Sequence, residues 1–191
     1  MLLGEGFKAK ETGKKITVSY GKVSGAGSYE IYAQYCQYNG FSKKPAAVIA
    51  ANKKTPVTIT RINGKAIKTN APYKVFVVAR KGKTELGRTV VAFCAGSTGK
   101  YTDAGKITLS KNTYSLQTGK TAAIRASLSL ADKSKKELPK KYAGRLRYRS
   151  SDTSVATVNK SGLITAKKAG ICTVYVTARN GLTKSVSVKV K

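Results

Sequence analysis

The chain has 191 residues, of which 37 are Lys or Arg, 8 are Asp or Glu and none is His, so its formal net charge is +29. The absence of histidine excludes Ser-His-Asp and Cys-His catalytic arrangements and histidine-ligated zinc. So few carboxylates also disfavour a general acid/base pair and a calcium cage. Hydrophobic residues make up 41% of the chain, which suffices for packed cores. We therefore expect no catalytic residue, no metal site and no cofactor.

The positive charge is spread evenly along the chain. Residues 1–100 hold 18 Lys and Arg against 4 acids, and residues 101–191 hold 19 against 4. Only 8 of the cations are Arg, and Lys is the poorer group for bidentate phosphate recognition. This distribution favours a solvated surface, with attraction to an anionic polymer as the alternative.

The sequence gives little indication of a membrane-spanning segment. No apolar run approaches the ~20 residues that a membrane helix needs, so we expect no membrane insertion. Met1–Gly4 is too short for a signal peptide, and we expect the chain to be a mature fragment or a piece cut from something longer.

In chain order, the predicted elements are strands with one buried face. Apolar and polar residues alternate with period two, and no long stretch shows the stripe of an amphipathic helix. The clearest alternating segments are Ile16–Tyr20, Tyr29–Gln34, Tyr73–Ala79, Cys172–Arg179 and Val186–Val190.

Turn signals separate these strands about every ten residues, which is typical of a sandwich. We predict a hairpin at Asn180-Gly181, between two strong strand patterns. A glycine-containing segment without hydrophobic residues, Gly96–Lys100, predicts a linker. The sequence therefore indicates an all-β fold of two tandem sandwiches, in residues 1–98 and 104–191. The turn dipeptides are Ser24-Gly25, Asn39-Gly40, Asn63-Gly64, Ser161-Gly162 and Asn180-Gly181.

The second half carries an ordered set of blocks that resembles the bacterial immunoglobulin-like group 2 domain over about residues 106–190. It departs from that family at Tyr148, where Trp is frequent, and in an insertion at about residues 130–143. The blocks are Lys106–Ser110, Leu116–Thr121, Tyr148–Asp152, Ser154–Val158, Gly162–Ala166 and Ala169-Gly170.

The first half, about residues 7–97, resembles a fibronectin type III domain through Val23–Tyr32 and through Ile62 followed by Tyr73–Val77. The resemblance implies that the hydroxyl of Tyr73, at the corner position, hydrogen-bonds back to nearby backbone. Tyr20 occupies the position of the usual aromatic residue on the second strand.

Together, the two resemblances imply an immunoglobulin-like, basic, extracellular module of a bacterial cell-surface or secreted protein. Such modules act as spacers, stalks and adhesive units, and rarely as enzymes, so we expect no enzyme. We expect a monomer or part of a longer multidomain chain, with acidic polysaccharide, mucin or teichoic acid as candidate partners. The alternative is a nucleic-acid-binding module that uses the dispersed basic surface, which we disfavour.

The best candidate for anion binding lies in and beside the insertion. Arg145, Arg147 and Arg149 alternate with two apolar residues, so they are expected in a row on the outer face, about 6.6–6.8 Å apart. The alternative is a solvated outer face that protects the sheet from aggregation. The insertion adds five cations to this patch: Lys133, Lys135, Lys136, Lys140 and Lys141.

Exposed aromatic residues near the end of the third strand offer a second candidate. Tyr32, Tyr38 and Phe41 could stack on a sugar or a base, while parity turns Tyr35 inward. The alternative is that these rings pack against the following loop or the neighbouring domain.

The three cysteines form no C-x-x-C motif. Parity predicts that Cys172 is a buried, inert thiol. Cys36 and Cys94 are expected at the same end of the sandwich, about 9–10 Å apart across one strand, so a disulfide between them requires one strand to bend.

Some surface Ig-like domains form Lys–Asn isopeptide bonds beside a buried acid. The acids within or beside predicted strands are Glu30, Glu85, Asp132 and Asp152. None has a convincing apolar environment, so we do not expect an isopeptide bond.

Overall fold

The computed structural model describes residues 7–191, and all of its regular elements are strands. It contains no helix in that range, and hence none that could cross a membrane. Met1–Gly4, the segment judged too short for a signal peptide, lies outside the described residues. The fold is two tandem immunoglobulin-like sandwiches, as predicted.

The first sandwich packs two antiparallel sheets face to face. One sheet has the order β1-β2-β5, and the other has the order β10-β8-β3-β4 with β9 also paired to β8. A small hairpin, β6-β7, lies between β5 and β8. The strands are β1 (Lys8–Thr12), β2 (Lys15–Ser19), β3 (Ser28–Tyr35), β4 (Ala47–Ala50), β5 (Val57–Ile59), β6 (Arg61–Ile62), β7 (Lys65–Ala66), β8 (Tyr73–Lys81), β9 (Thr84–Arg88) and β10 (Ala92–Cys94).

The core of this sandwich follows from the period-two pattern. Alternate residues of β2, β3 and β8 point inward and are almost wholly buried. Tyr20 packs on Tyr29 with ring centroids 4.6 Å apart, so it fills the aromatic position expected on the second strand.

The last strand of the first sandwich is split in two. β9 pairs with β8 at Val78–Lys81, and β10 pairs with β8 at Tyr73–Val75. Between them, Thr89 bridges to Val77 through its backbone N–H at 2.9 Å and its hydroxyl at 3.0 Å. The split leaves residues 89–91 outside the regular ladder.

The corner hydrogen bond implied for Tyr73 is not made. The Tyr73 side chain is fully buried, but its hydroxyl has no hydrogen-bond partner among the described residues. Tyr35 makes such a bond instead, because its hydroxyl accepts the Lys68 backbone N–H at 2.8 Å. The hairpin β6-β7 precedes Lys68 and leads the chain back over Tyr35, which explains the exchange of roles.

The second sandwich contains a four-stranded sheet, β13-β21-β20-β17, opposite a three-stranded sheet, β14-β19-β18, and the pair β12-β15. A short parallel pair, β11-β16, lies beside the linker. The strands are β11 (Tyr101–Thr102), β12 (Ala104–Leu109), β13 (Thr113–Leu116), β14 (Thr121–Ala123), β15 (Ala126–Leu130), β16 (Lys136–Glu137), β17 (Leu146–Ser150), β18 (Ala156–Val158), β19 (Leu163–Ala166), β20 (Gly170–Ala178) and β21 (Thr183–Val190).

The longest hairpin of this sandwich is the one predicted at Asn180-Gly181. It joins β20 to β21, which pair in register from Gly170 and Val190 to Thr177 and Thr183. Gly181 has φ +87°, a conformation that glycine adopts without steric cost. All five predicted turn dipeptides contain a glycine at positive φ.

Each sandwich has its own hydrophobic core, one centred on β2, β3 and β8 and the other on β20 and β21. The predicted limits of the units, 1–98 and 104–191, stay a prediction. Hydrogen bonds to both sandwiches order the segment between these limits.

Candidate functional site

The insertion of the second sandwich folds back against the linker instead of standing free. The Lys136 N–H donates to the Lys100 carbonyl at 3.1 Å, and β16 pairs with β11. The Lys135 ammonium donates to the Ser97 carbonyl at 2.7 Å. Lys135 therefore ties the insertion to the linker, and the remaining insertion lysines are exposed: Lys133, Lys136, Lys140 and Lys141.

Of the three predicted arginines, Arg145 borders this lysine group and Arg149 lies on the outer face of the sheet. Arg145 is exposed and donates to Glu137 at 3.1 Å, so its charge is partly matched. Arg149 lies over the ring of Tyr175 at 5.0 Å. A cation over an aromatic face remains available at its outer side to an anion.

Arg147 does not belong to an open row. Parity was predicted correctly, because Leu146 and Tyr148 pack against the core. The outer face at Arg147, however, is covered by the first sandwich, and its guanidinium donates to the carbonyls of Val91 at 2.8 Å and Ala178 at 3.1 Å. Burial lowers the pKa of this guanidinium. The expected row of three solvent-facing arginines therefore reduces to Arg145 and Arg149.

We use "the joint" for the surface where the two sandwiches meet, formed by residues 7, 91–103, 135, 147 and 179–181. Four contacts define it besides the Lys135 bond. The Phe93 N–H donates to the Arg179 carbonyl at 2.7 Å, the Ala95 N–H donates to Asp103 Oδ1 at 2.8 Å, and Arg147 reaches Val91. The ring of Phe7 also packs on Gly181, where an added Cβ would lie 2.8 Å from ring carbon Cδ1.

Behind the joint, Arg179 holds the insertion in place. This side chain is 5% exposed. It donates to the Glu137 carboxylate, to the Leu138 carbonyl and to the Ala143 carbonyl, each at 2.7 Å. Because a buried guanidinium needs such partners to offset its lost hydration, Arg179 fixes the middle and the C-terminal end of the insertion relative to β20.

A cleft of about 440 Å³ opens at the joint. Acidic residues gather around it although the chain is strongly basic, and four of the eight acids lie at the cleft or directly behind it. Three lysines line its rim: Lys8, Lys10 and Lys135. No group of three or more acidic or cysteine side chains suited to a metal ion occurs within residues 7–191. The four acids are Glu11, Asp103, Asp132 and Glu137.

Three of these acids, Glu11, Asp103 and Glu137, were missed by the sequence reasoning. Glu11 is 2% exposed and accepts the N–H groups of Lys14 and Ser97, each at 2.8 Å. Asp103 accepts the Ala95 N–H, and burial raises the pKa of its carboxyl to about 7, against the opposing effects of that hydrogen bond and of Lys10. Alternation did contain a signal for Glu11, because it shares inward parity with Ala9.

The acids that the sequence did single out are all accounted for by local partners. Glu30 pairs with Arg80 at 2.9 Å and Glu85 pairs with Arg88. Asp132 and Asp152 each accept the N–H and hydroxyl of the serine two residues on. None of the four is buried.

The three cysteines are free thiols in the structure, so the bridge considered between Cys36 and Cys94 is not made. Burial raises the pKa of Cys36 to about 12 and that of Cys94 well above its ordinary value. Cys172 is buried and accepts the Ser150 hydroxyl at 3.7 Å. The pKa values of Cys36 and Cys94 are thus shifted in the direction opposite to that of a reactive cysteine.

The aromatic side chains near β3 pack against other aromatic rings. The Tyr32 ring stacks on Phe76 with centroids 4.8 Å apart, and Phe41 meets Phe76 edge-on at 4.7 Å. Tyr35 is buried, and Tyr38 is 52% exposed. Tyr32 and Phe41 therefore pack on Phe76 of β8, a partner that the sequence analysis did not name, and a stacking platform for a sugar or base is not assembled from them.

The comparison with protein families concerns the second sandwich. Residues 103–190 match the family described as "Bacterial Ig-like domain (group 2)". The match covers most of the second sandwich and less than half of the chain. Domains of this kind are typical of bacterial surface proteins and are typically non-catalytic. The match begins one residue before the predicted start at 104 and includes Asp103.

Solved structures with a similar fold include tandem β-sandwich proteins. Domains 4 and 5 of the surface-layer protein SbsC share 13% identity, covering 90% of this chain and 81% of that chain, with a TM-score of 0.38. The C-terminal 282-residue fragment of intimin, in complex with the intimin-binding domain of its translocated receptor, shares 16% identity, covering 96% and 62%, with a TM-score of 0.31. The chicken CNTN1 FN1–FN3 domains share 11% identity, covering 97% and 65%, with a TM-score of 0.36.

These structures are neighbours in fold, and nothing about function follows from them at such identities and scores. The chain spans only 22% of the longer SbsC fragment of residues 31–844. A search of curated proteins finds no significant relative.

Proposed function

We propose that this chain is a non-enzymatic, extracellular module of a bacterial cell-surface or secreted protein. It acts as a spacer that holds a neighbouring part of the protein at a set distance, and its exposed lysines bind anionic glycans or wall polymers. The match of the second sandwich to the bacterial Ig-like family supports the surface setting. The observation that carries the spacer function is the bonded joint.

A spacer must resist bending between its units, and the joint supplies the contacts for this. Backbone groups bond directly across it, as at Phe93 and Arg179. The guanidinium of Arg147, held by β17, reaches a carbonyl of the other sandwich, and such charge-assisted bonds are stronger than neutral ones. The linker is also bonded to the insertion at both Ser97 and Lys100. Bending the joint would break several of these bonds together.

Residual dipolar couplings of the full chain test the spacer function. We expect the couplings of both sandwiches to fit one alignment tensor at pH 5, as for a rigid body. Two tensors of different magnitude would show that the sandwiches move independently and would refute the spacer proposal.

Anion binding is supported by the charge and position of the insertion lysines. Four exposed ammonium groups occur within nine residues, beside the exposed Arg145. Lysine side chains attract polyanions through counterion release, with little dependence on ligand sequence. We therefore propose acidic polysaccharide, mucin or teichoic acid as the class of partner.

Retention on immobilised teichoic acid and on heparin across a salt series tests this part of the proposal. Three to five anionic contacts correspond to a log–log salt slope of roughly −2 to −4. Absent or salt-independent retention would refute polyanion binding and leave the spacer function untouched.

The aromatic contacts weigh against the nucleic-acid alternative. Binding of single strands requires aromatic faces on which bases stack, and the faces of Tyr32 and Phe76 are turned to each other. Single-stranded DNA belongs in the same salt series, and tighter retention on DNA than on teichoic acid would contradict the proposed partner class.

We also propose that the units 1–98 and 104–191 fold separately around their own cores. Expression of each unit alone tests this, and cooperative thermal unfolding of both is the expected result. Failure of either unit to unfold cooperatively would show that the joint is part of its core.

A further inference from the structure

The side chain of Asp103 crosses the joint. Its backbone carbonyl accepts the Ala131 N–H at 2.9 Å, which anchors Asp103 to the second sandwich. Its carboxylate accepts the Ala95 N–H at 2.8 Å, at the end of β10 in the first sandwich. A carboxyl group of one sandwich is therefore inserted against the other.

Titratable groups of the first sandwich surround this carboxyl, and Tyr101, Asp132 and Lys135 of the second sandwich line the same cleft. Lys10 and Glu11 lie on β1, Tyr73 lies on β8, Cys94 lies on β10, and Cys36 follows β3. Among the described residues, Asp103 has no cation within salt-bridge distance. Lys8 and Lys135 line the cleft farther out.

Ionisation of Asp103 is therefore costly while the joint is closed. Asp103 is half-buried in the wall of the cleft and has no ion pair within residues 7–191, which disfavours the charged form, and the pKa of this carboxyl is raised to about 7. The neighbouring thiols and phenol stay neutral in the same range, because burial raises the pKa of Cys36 to about 12 and raises those of Cys94 and Tyr73 as well.

The amino-acid composition sets this carboxyl apart from the other titratable groups. The chain contains no histidine, the residue that ordinarily changes charge between pH 5 and 8. Within residues 7–191, Asp103 is the one side chain whose raised or lowered pKa falls inside that interval.

We propose that the joint is pH-responsive: it is held more tightly in mildly acidic solution and opens more readily once Asp103 carries its charge. Opening the joint separates Asp103 from its first-sandwich neighbours and returns the carboxylate to water. The charged form therefore favours the open joint, and the neutral form, which still accepts the Ala95 N–H through its carbonyl oxygen, favours the closed one.

The size of the effect follows from linkage. The closed joint holds the carboxyl with a pKa of about 7, and the open joint holds it near the ordinary value of 3.8. Between pH 5 and pH 8, the ratio of open to closed joints then rises roughly 90-fold. Most of the change occurs below pH 7, and the ratio levels off above it.

Native-state hydrogen exchange measures this ratio at the joint itself. The amides of Phe93 and Ala95 donate across the joint, and the amide of Thr89 donates to Val77 within the first sandwich. After correction for the intrinsic exchange rate, the opening constant at Phe93 and Ala95 should rise roughly 90-fold from pH 5 to pH 8. The constant at Thr89 should change far less.

The variant Asp103→Asn keeps an acceptor oxygen but cannot ionise, so its opening constants should be flat with pH. Asp152→Asn removes an exposed carboxylate far from the joint and should behave as the wild type. If Asn at 103 prevents folding, the carboxyl carbon shift of Asp103 in the wild type decides, with a titration near pH 7 expected.

Titration of Asp103 near pH 4, or a pH response that survives in Asp103→Asn, would overturn the proposal. An equal change at Thr89 would also overturn it, because the response would then be global unfolding. The proposed pH response rests on the joint of the proposed spacer, but different results refute the two proposals. A joint that is rigid at every pH refutes only the response, whereas a joint that is flexible at pH 5 refutes the spacer.

Discussion

The guanidinium of Arg147 in the second sandwich donates to the backbone carbonyl of Val91 in the first, with Nη1 and the oxygen 2.8 Å apart. The same guanidinium also donates to the carbonyls of Ala178 and Arg179 in its own sandwich. One planar group therefore connects the end of β20 to the split strand of its neighbour.

Replacing Arg147 tests whether this connection stabilises the joint. Arg147→Lys keeps the charge but cannot reach three carbonyls with one ammonium group. We expect a loss of about 1–2 kcal/mol in the free energy of unfolding, measured by chemical denaturation. Arg149→Lys is the matched control, since Arg149 makes its contact over Tyr175 and not at the joint, and it should cost less than half as much. Equal losses would contradict the role given to Arg147.

Substitution of Gly181 separates backbone strain from contact across the joint. Gly181 and Gly119 have similar φ values, +87° and +82°, but an added Cβ meets the Phe7 ring at Gly181 and nothing within 4 Å at Gly119. Gly119→Ala should cost about 1 kcal/mol from its left-handed backbone. Gly181→Ala should cost about 2–4 kcal/mol, because the ring must also move. Thermal unfolding of both variants gives the difference, and similar costs would mean that Phe7 yields freely.

Two tyrosines distinguish a hydroxyl that stabilises the fold from one that does not. The Tyr35 hydroxyl is bonded to the Lys68 N–H, so Tyr35→Phe should lower the free energy of unfolding by about 1 kcal/mol. Within residues 7–191 the buried Tyr73 hydroxyl has no hydrogen-bond partner, although the weakly bonding thiol of Cys94 lies beside it, so Tyr73→Phe should be neutral or stabilising. The reverse order, measured in urea, would restore the corner role to Tyr73.

The thiols provide a prediction with a defined pH dependence. We expect three free thiols in the unfolded protein, counted with a chromogenic disulfide reagent. In the folded protein, the pKa of Cys36 is raised from 9.0 to about 12, so at pH 8 its thiolate fraction is about 1000-fold smaller than in the unfolded chain. Alkylation of Cys36 should therefore be slow and should accelerate about tenfold per pH unit up to pH 10. A count of one thiol would establish a disulfide.

The insertion lysines are expected to dominate polyanion binding. Replacing Lys133, Lys136, Lys140 and Lys141 by Gln should flatten the log–log salt slope by up to about 3. The control makes the same charge change at four exposed lysines of the first sandwich, Lys22, Lys43, Lys53 and Lys54. Retention on teichoic acid should fall much less in the control, and equal losses would show that binding follows net charge alone.

The buried strands could be predicted because each residue of β3, β8, β20 and β21 has only two directions to point. Tyr73, Val75 and Val77 are fully buried for that reason. The same rule places Glu11 inward beside Ala9, although an acid at such a position is readily passed over when apolar residues alone are counted.

The joint could not be predicted in this way, because alternation within a strand carries no information about a neighbouring sandwich. Arg147 has the outward parity expected of it, yet its outer face is covered by Val91. The environment of Asp103 likewise depends on Ala95 and Lys10, which belong to the other sandwich.

At the split between β9 and β10, a backbone carbonyl of the first sandwich is available to the second sandwich. A continuous strand would carry its pairing through residues 89–91, whereas the split leaves the Val91 carbonyl for Arg147. If the following module had no arginine at the position of Arg147, the Val91 carbonyl oxygen would hydrogen-bond to water instead. A following module that presents a donor at the position of Arg147 therefore makes a contact with the first sandwich that other modules would not make.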